Sequence, residues 1–253
     1  MIITNNMSTV FILWQRQLIR FFRTRSRIVA SLAQPVLFLV AFGFGLGPVY
    51  RAASGKDYIQ FLAPGIIAMT ILFSAVFTGM EIIWDKQFGF LKETLVAPVS
   101  RFATMMGRTM GGATVAFMQG VLVFIITVLI GFRPNPAGFL LAAVFMFLIA
   151  LLFSAFGTAV ASKLEDMQSF PLIINFVVMP IYFLSGAIFP LTNLPGGLAF
   201  VTKINPLSYG VDSIRSVLTN SGVFPLSLSF SILAIIILFI VVIGGYLFSR
   251  IEV

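Results

Sequence analysis

Long apolar runs separated by short polar stretches dominate the chain. Six runs come close to or exceed the roughly 20 apolar residues that a helix needs to cross a bilayer. They lie at residues 28–47, 58–83, 102–132, 137–161, 167–188 and 226–248. The apolar residues are continuous rather than alternating, which favours helices over the strands of a barrel. The pattern predicts an all-α polytopic membrane protein with six transmembrane helices, organised as one domain over residues 1–253.

Residues 8–27 precede the first run and show a helical periodicity of their own. At about 100° per residue, one face is apolar, and the opposite face carries Arg16, Arg20, Arg23 and Arg27. This pattern is typical of an amphipathic helix that lies in the membrane interface with its basic side against anionic headgroups. We therefore predict an interfacial helix and contact with membrane lipids.

A polar island at residues 85–100, here called the hook, separates the second and third runs. Phe88, Leu91 and Leu95 share one side of a short helix, and Pro98 limits that helix. A chain that only turns around does not need an amphipathic helix, so the hook favours a coupling helix that docks on a cytoplasmic partner. An ordinary interfacial loop is the alternative. The predicted docking residues are Phe88, Gly89, Leu91, Lys92, Glu93, Leu95 and Pro98.

Residues 189–222 are less apolar and rich in Pro, Gly, Asn and Ser. Prolines break an apolar stretch here, and such a break at membrane depth is tolerated only where protein or a water-filled cavity satisfies the backbone. The pattern predicts a re-entrant hairpin that closes the outer end of a pathway, followed by a short helix. A plain extracellular loop with a proline turn is the alternative. The predicted gate residues are Gly186, Pro190, Pro195, Asn205 and Pro206.

The positive charge follows the ends of the runs. The chain has 16 Lys and Arg residues against 8 Asp and Glu, a net charge of +8. Eleven of the 16 lie on the side of both termini and the hook, and five on the other side. By the positive-inside rule, the termini and the hook are cytoplasmic, in the cell membrane. Topology accounts for the charge, so we expect no nucleic-acid partner.

Chemistry-bearing residues are scarce. The chain has no Cys and no His, and 9% of its residues are charged. It contains no paired carboxylates, no nucleophile–base set and no Walker A sequence, so we expect neither an enzyme nor a metal or cofactor site in this chain. Glu81, Asp212 and Arg215 are charges that could lie at depth, but each is close to the end of a run. We expect these side chains to snorkel to water.

Two stretches resemble a known family. The run Phe-Leu-Lys-Glu-Thr-Leu-Val-Ala-Pro-Val-Ser-Arg at residues 90–101 is similar to the cytoplasmic signature of ABC-2 type permeases. Residues 184–195 and 205–215 resemble the matching region of the daunorubicin-resistance branch. The hook departs from the family pattern, which often has an acidic residue and a glycine ahead of its Thr-Leu pair. Here Lys92 and Glu93 precede that pair, and the glycine is Gly89.

The resemblance implies a half-transporter. Two copies of the chain would form the pore, with the first and fifth spans facing the partner copy. Two copies of a separate cytoplasmic ATPase would bind ATP and Mg²⁺ and dock on the hooks. The implied cargo is a lipophilic drug, a lipid or a lipid-linked substrate, moved outward.

Three other functions remain open from the residues. One is export of a polysaccharide or teichoic-acid precursor within the same family. Another is ion-coupled secondary transport, which would need buried carboxylates near mid-span. The third is a membrane scaffold that recruits a partner through the hook without transporting anything.

Overall fold

The computed structural model describes residues 2–55, 57–90, 99–191 and 195–251, leaving aside the side chains of residues 2–5, 25, 27 and 54. All regular secondary structure within these ranges is helical. In chain order the helices are α1 (Ile2–Arg23), α2 (Arg25–Gly45), α3 (Gly47–Ser54), α4 (Tyr58–Phe77), α5 (Met80–Gln87), α6 (Arg101–Ile130), α7 (Phe139–Lys163), α8 (Ser169–Phe183), α9 (Gly196–Ile204), α10 (Pro206–Thr219) and α11 (Leu226–Ser249).

Five of the six predicted spans are confirmed as helices long and apolar enough to cross a membrane. They are Ile28–Gly45, Tyr58–Gln87, Arg101–Ile130, Pro136–Lys163 and Leu226–Ser249. The predicted fifth span, 167–188, corresponds to α8, which is apolar but shorter than these. Its middle widens into a π-helical segment over Ile174–Val178, directly before Pro180, which has no N–H to continue the α-helical ladder. A sixth crossing remains a prediction.

Two predicted boundaries differ from the structure. Residues 48–57 separate the first two predicted spans, and α3 covers most of this stretch, with Pro48 in its first turn, where the missing N–H costs nothing. The N-terminal helix begins at Ile2 rather than at residue 8, and it ends at Arg23. A bend at Thr24 then separates α1 from α2.

The helices α4, α6 and α7 form the centre of the bundle. They pack against one another along most of their lengths, and α10 packs between α4 and α7. The core is built from buried aliphatic side chains of α4, such as Leu62 and Ile66, together with Phe145 and Phe153 of α7. The outer helices α2 and α11 leave much of their apolar surface uncovered in a single chain.

The bundle has two distinct ends. At the hook end, the last turn of α5, the first turns of α6 and the last turns of α7 and α11 come together. At the hairpin end, the first turn of α4 meets residues 131–138, residues 184–191 and the end of α10. The hook and the hairpin thus lie at opposite ends of the same helices.

The helices α9 and α10 form a turn that folds back along the bundle. The side-chain amide nitrogen of Asn205, which connects them, donates to the carbonyl of Ile181, 2.6 Å away, in the last turn of α8. Further along α10, Gly210 lies against Ile149, well inside α7. This geometry is compatible with a re-entrant hairpin, and insertion of the hairpin into a membrane remains a prediction.

Candidate functional site

The structure divides the predicted hook into two parts. Asp85 to Gln87 form the last turn of α5 rather than the start of a separate coupling helix. The helix ends there because Gly89 adopts a left-handed conformation with φ of +79°, which glycine reaches without steric cost. The predicted coupling helix over residues 85–100 therefore does not begin at residue 85, and the rest of that prediction stays untested. Beyond this point, Leu91, Lys92, Glu93, Leu95 and Pro98 lie outside the described residues.

Aromatic side chains project from the described part of the hook. Phe88 is 67% exposed and Phe90 is 55% exposed. On the far side of the hook, the hydroxyl of Ser100 accepts a hydrogen bond from the backbone N–H of Ala103 and caps α6. The hook therefore connects α5 to α6, and its described part presents apolar surface directly after α5.

A buried ion pair anchors the hook to α6. Arg108 donates to a carboxylate oxygen of Asp85 at 2.6 Å, and both side chains are buried. The guanidinium of Arg16 lies 3.7 Å from the same oxygen, so α1 joins the pair. This ion pair was not among the predicted site residues. The available signal was an acidic residue at the start of the hook and a basic residue in the run that follows it.

The neighbouring residue of the hook is anchored to α7. The ammonium of Lys86 donates to the carbonyls of Ser162 at 2.7 Å and of Leu164 at 3.1 Å. These carbonyls are at the C-terminal end of α7, where backbone acceptors have no partner within the helix. Because Asp85 contacts α6 and Lys86 contacts α7, a displacement of the hook would be transmitted to both helices.

The basic face of α1 meets protein as well as solvent. Arg20 donates to a carboxylate oxygen of Glu81 at 3.2 Å, and Arg16 reaches Asp85 as described above. Arg23 is exposed, and the side chain of Arg27 lies outside the described residues. The ion pairs of Arg16 and Arg20 with carboxylates of α5 show that this face contacts protein and is not available to lipid alone. Contact with a membrane surface remains a prediction.

The helix α1 is packed closely on α6. An added Cβ on Gly107 would be 2.9 Å from the backbone oxygen of Val10, so only glycine permits this approach. The indole N–H of Trp14 donates to the hydroxyl of Thr114 at 3.0 Å. The N-terminal helix is therefore part of the folded bundle rather than a loose anchor.

The hairpin end is organised around Arg215. Its guanidinium donates to the carbonyls of Phe61 at 3.2 Å and of Gly186 at 2.9 Å, and its central carbon lies 3.9 Å from the centre of the Phe61 ring. Gly186, a predicted gate residue, has φ of +75° and lies in the irregular segment that follows α8. Arg215 thus connects the first turn of α4 to this segment.

The other predicted gate residues lie in three different segments. The side-chain oxygen of Asn205 accepts from the backbone N–H of Leu207 and begins α10, with Pro206 in its first turn. Pro190 lies near this end in the irregular segment, and Pro195 immediately precedes α9.

The expectation that Asp212 and Arg215 would snorkel to water is wrong, because they are 1% and 3% exposed. The carboxylate of Asp212 instead accepts from the backbone N–H groups of Val223 and Phe224.

A cavity of about 540 Å³ opens near the hook end, between the α1–α2 bend and the helices α4, α5 and α6. It is lined by three polar side chains, Ser31, Thr70 and Gln119, here called the polar floor, and by the charged pair Arg20 and Glu81, here called the edge. The remaining wall is largely apolar and includes Phe73 and Trp84. The combination of a long apolar wall and a small polar floor suits an amphipathic molecule.

Comparison with known proteins identifies the family. Residues 8–219 match the family model described as ABC-2 type transporter. The chain is 30% identical to a putative transport permease ycf38 of Cyanophora paradoxa, over 96% of this chain and 88% of that protein. It is 27% identical to the inner membrane transport permease YadH of Escherichia coli (strain K12), over 89% and 88%. It is 26% identical to nodulation protein J of Rhizobium meliloti (strain 1021), over 82% and 80%. A bundle of apolar helices and a match over most of the chain lead to one conclusion: the chain belongs to the ABC-2 type transporter family.

Proposed function

We propose that this chain is the membrane subunit of an ATP-driven exporter in the cell membrane. Separate ATPase subunits would bind ATP and Mg²⁺ and drive outward movement of a lipophilic drug, a lipid or a lipid-linked substrate. Membership of the ABC-2 family already implies pairing with an ABC ATPase subunit. The observation that carries the proposal is the hook, which exposes Phe88 while Asp85 and Lys86 fasten it to α6 and α7.

The hook would act as a mechanical link. An ATPase that closes on ATP would displace the exposed part of the hook, and the anchors at Asp85 and Lys86 would transmit that displacement to α6 and α7. Because α4 runs through α5 into the hook and begins at the hairpin end, the same motion would reach the Arg215 contact with Phe61. This describes a two-state coupling between ATP binding and access at the far end.

A second copy of the chain would complete the pathway. Only 17% of the span in α2 is buried within one chain, and α8 exposes large apolar side chains, including Leu172 and Phe176. These are the first and fifth predicted spans, which the family resemblance places at the partner copy. Lipid would cover whatever the second copy leaves exposed.

The geometry gives little support to the alternative functions. Ion-coupled transport needs carboxylates that are free to exchange a cation, but the buried carboxylates of Asp85 and Asp212 accept hydrogen bonds from a guanidinium and from backbone N–H groups. A polysaccharide or teichoic-acid precursor would require a wider path, which a second copy would have to form. A non-transporting scaffold predicts recruitment of a partner without loss of export on deletion.

Affinity purification in mild detergent followed by mass spectrometry tests the proposal. We expect a stoichiometric protein with a Walker A sequence to copurify with the wild-type chain. The substitution Phe88→Asp, and separately the pair Leu91→Asp with Leu95→Asp, should reduce its recovery about tenfold or more. The reason is that each buried apolar anchor contributes roughly 1.5–3 kcal/mol, and a carboxylate in the same place would lose that contribution.

The matched control is Gln168→Asp, which adds the same charge at an exposed position in the polar turn before α8. It should leave copurification unchanged. A wild-type chain that transports its cargo and carries no ATPase would overturn the proposal. Unchanged recovery of the ATPase with all hook variants would refute the role of the hook.

A further inference from the structure

The polar floor of the cavity contains an acceptor that no described residue uses. Gln119 is 3% exposed and lines the cavity from α6. Its side-chain nitrogen donates to the hydroxyl of Ser31 at 3.0 Å. Among the described residues, no group donates to its side-chain oxygen. A buried acceptor without a donor costs about 1–3 kcal/mol, so its presence beside an open cavity requires an explanation.

The orientation of this amide follows from the hydrogen-bond network. The hydroxyl of Ser31 donates to the carbonyl of Ile28 at 2.9 Å, so toward Gln119 it can only accept. With the Ser31 proton on the carbonyl of Ile28, the nitrogen of Gln119 faces Ser31 and its oxygen faces away. Thr70, which also lines the cavity, gives its hydroxyl proton to the carbonyl of Ile66 and likewise presents only lone pairs. These three side chains thus present mainly acceptors to the cavity, together with the second N–H of the Gln119 amide.

The two charged side chains described in the cavity lining balance each other. The guanidinium of Arg20 and the carboxylate of Glu81 form an ion pair with 3.2 Å between them. Because these two charges compensate each other, the pair favours neither anions nor cations over a molecule without net charge. Beyond it, the aromatic and aliphatic side chains of Phe73, Phe77, Met80 and Trp84 provide a wall that matches an acyl or alkyl chain.

We propose that this cavity is a binding site for an amphiphile without net charge that presents a hydroxyl or amine donor to the side-chain oxygen of Gln119. The apolar body of the molecule lies along the wall formed by α4 and α5. This inference rests on the proposed function, because it names the class of cargo that the exporter would receive on its cytoplasmic side.

The chain provides its own probe for this site. It contains two tryptophans, Trp14 on α1 and Trp84 in the cavity wall, so the substitution Trp14→Phe leaves Trp84 as the single tryptophan. The full chain in lipid nanodiscs is titrated with 11-bromoundecanol and with its methyl ether. Both carry a bromine that quenches tryptophan at short range, and only the alcohol can donate a hydrogen bond.

We expect the alcohol to reach half-maximal quenching at a concentration about fivefold lower than the ether, the difference that one net hydrogen bond gives. Gln119→Leu should abolish the preference while leaving the ether unchanged. Ser74→Phe fills the cavity from α4 without touching the Gln119 hydrogen bonds, so it should weaken quenching by both probes. This second variant keeps the test decisive if Gln119→Leu fails to fold.

Equal quenching by both probes, unchanged in both variants, would overturn the proposal and indicate ordinary contact of Trp84 with surrounding lipid or with a second copy. If the alcohol is preferred, brominated phosphatidylethanolamine and phosphatidylcholine identify the source of the ligand. A Gln119-dependent preference for the ethanolamine lipid supports the site with a membrane lipid as occupant. Equal quenching by the two lipids supports it with a smaller amphiphile. The assay omits the ATPase, so its failure and the failure of the hook experiment are separate outcomes.

Discussion

The two ends of the bundle each bury an arginine, but the two arginines meet different partners. At the hook end, Arg108 pairs with the carboxylate of Asp85 on another helix. At the hairpin end, Arg215 donates to the backbone carbonyls of Phe61 and Gly186. One end is therefore joined through matched side-chain charges, and the other through a charge bound to neutral backbone groups.

This difference has a mechanical consequence. An ion pair between two helices depends on both side chains, so it resists separation and leaves an isolated buried charge when one partner is lost. A guanidinium on backbone carbonyls fixes the path of an irregular segment whatever side chains that segment carries. The hook end is thus suited to transmit force between regular helices, and the hairpin end to hold an irregular turn in place.

The largest expected effect is at the hook end. Replacing Arg108 by Met leaves the Asp85 carboxylate buried and should lower the free energy of unfolding by about 3–5 kcal/mol. The double variant Asp85→Asn with Arg108→Met removes both charges and should recover much of that loss. Thermal unfolding in detergent, followed by size-exclusion chromatography, measures both. An Arg108→Met chain as stable as wild type would contradict the buried pair.

An intermediate effect is expected at the hairpin end. Arg215→Met should cost about 1–3 kcal/mol, because the carbonyls left without a donor carry no net charge. A cysteine at the buried position Ser185, in a chain that otherwise has none, should react faster with a maleimide in this variant. Arg215→Lys keeps the charge but loses the planar fork, so labelling should be intermediate. Equal labelling rates in all three chains would show that Arg215 does not hold the segment.

The smallest effect is expected in the exposed turn before α8. The carboxylate of Asp166 accepts from the backbone N–H of Ser169 at 2.6 Å and from its hydroxyl at 2.8 Å, and these bonds lower the pKa of Asp166. Because the pKa is lower in the folded state, the stabilisation is present above the unfolded pKa of about 4 and is lost as the pH falls through the folded value. Asp166→Asn should be slightly less stable than wild type near neutral pH. The difference should vanish in acid, and Glu165→Gln should not reproduce it.

The apolar runs were sufficient to predict most of the helices. Five spans lie where hydropathy places them, because a continuous apolar stretch in lipid has few alternatives to a helix. The short helix α10 was also predictable, since Asn205 and Pro206 form a local start signal. The break at Gly89 was not, because glycine within a polar stretch indicates a turn without giving its exact place.

The functional sites were predictable only in part. The hook and the hairpin follow from local patterns of apolar residues, prolines and glycines. The pairing of Asp85 with Arg108 joins residues far apart along the chain, and burial of Arg215 requires the carbonyls of two other segments. Whether the side-chain oxygen of Gln119 lacks a donor likewise depends on the Ser31 hydroxyl, which donates to the carbonyl of Ile28. Hydropathy and local turn chemistry determine which segments are helical. Which polar groups meet, and which remain without a partner, is decided when packing brings distant helices together.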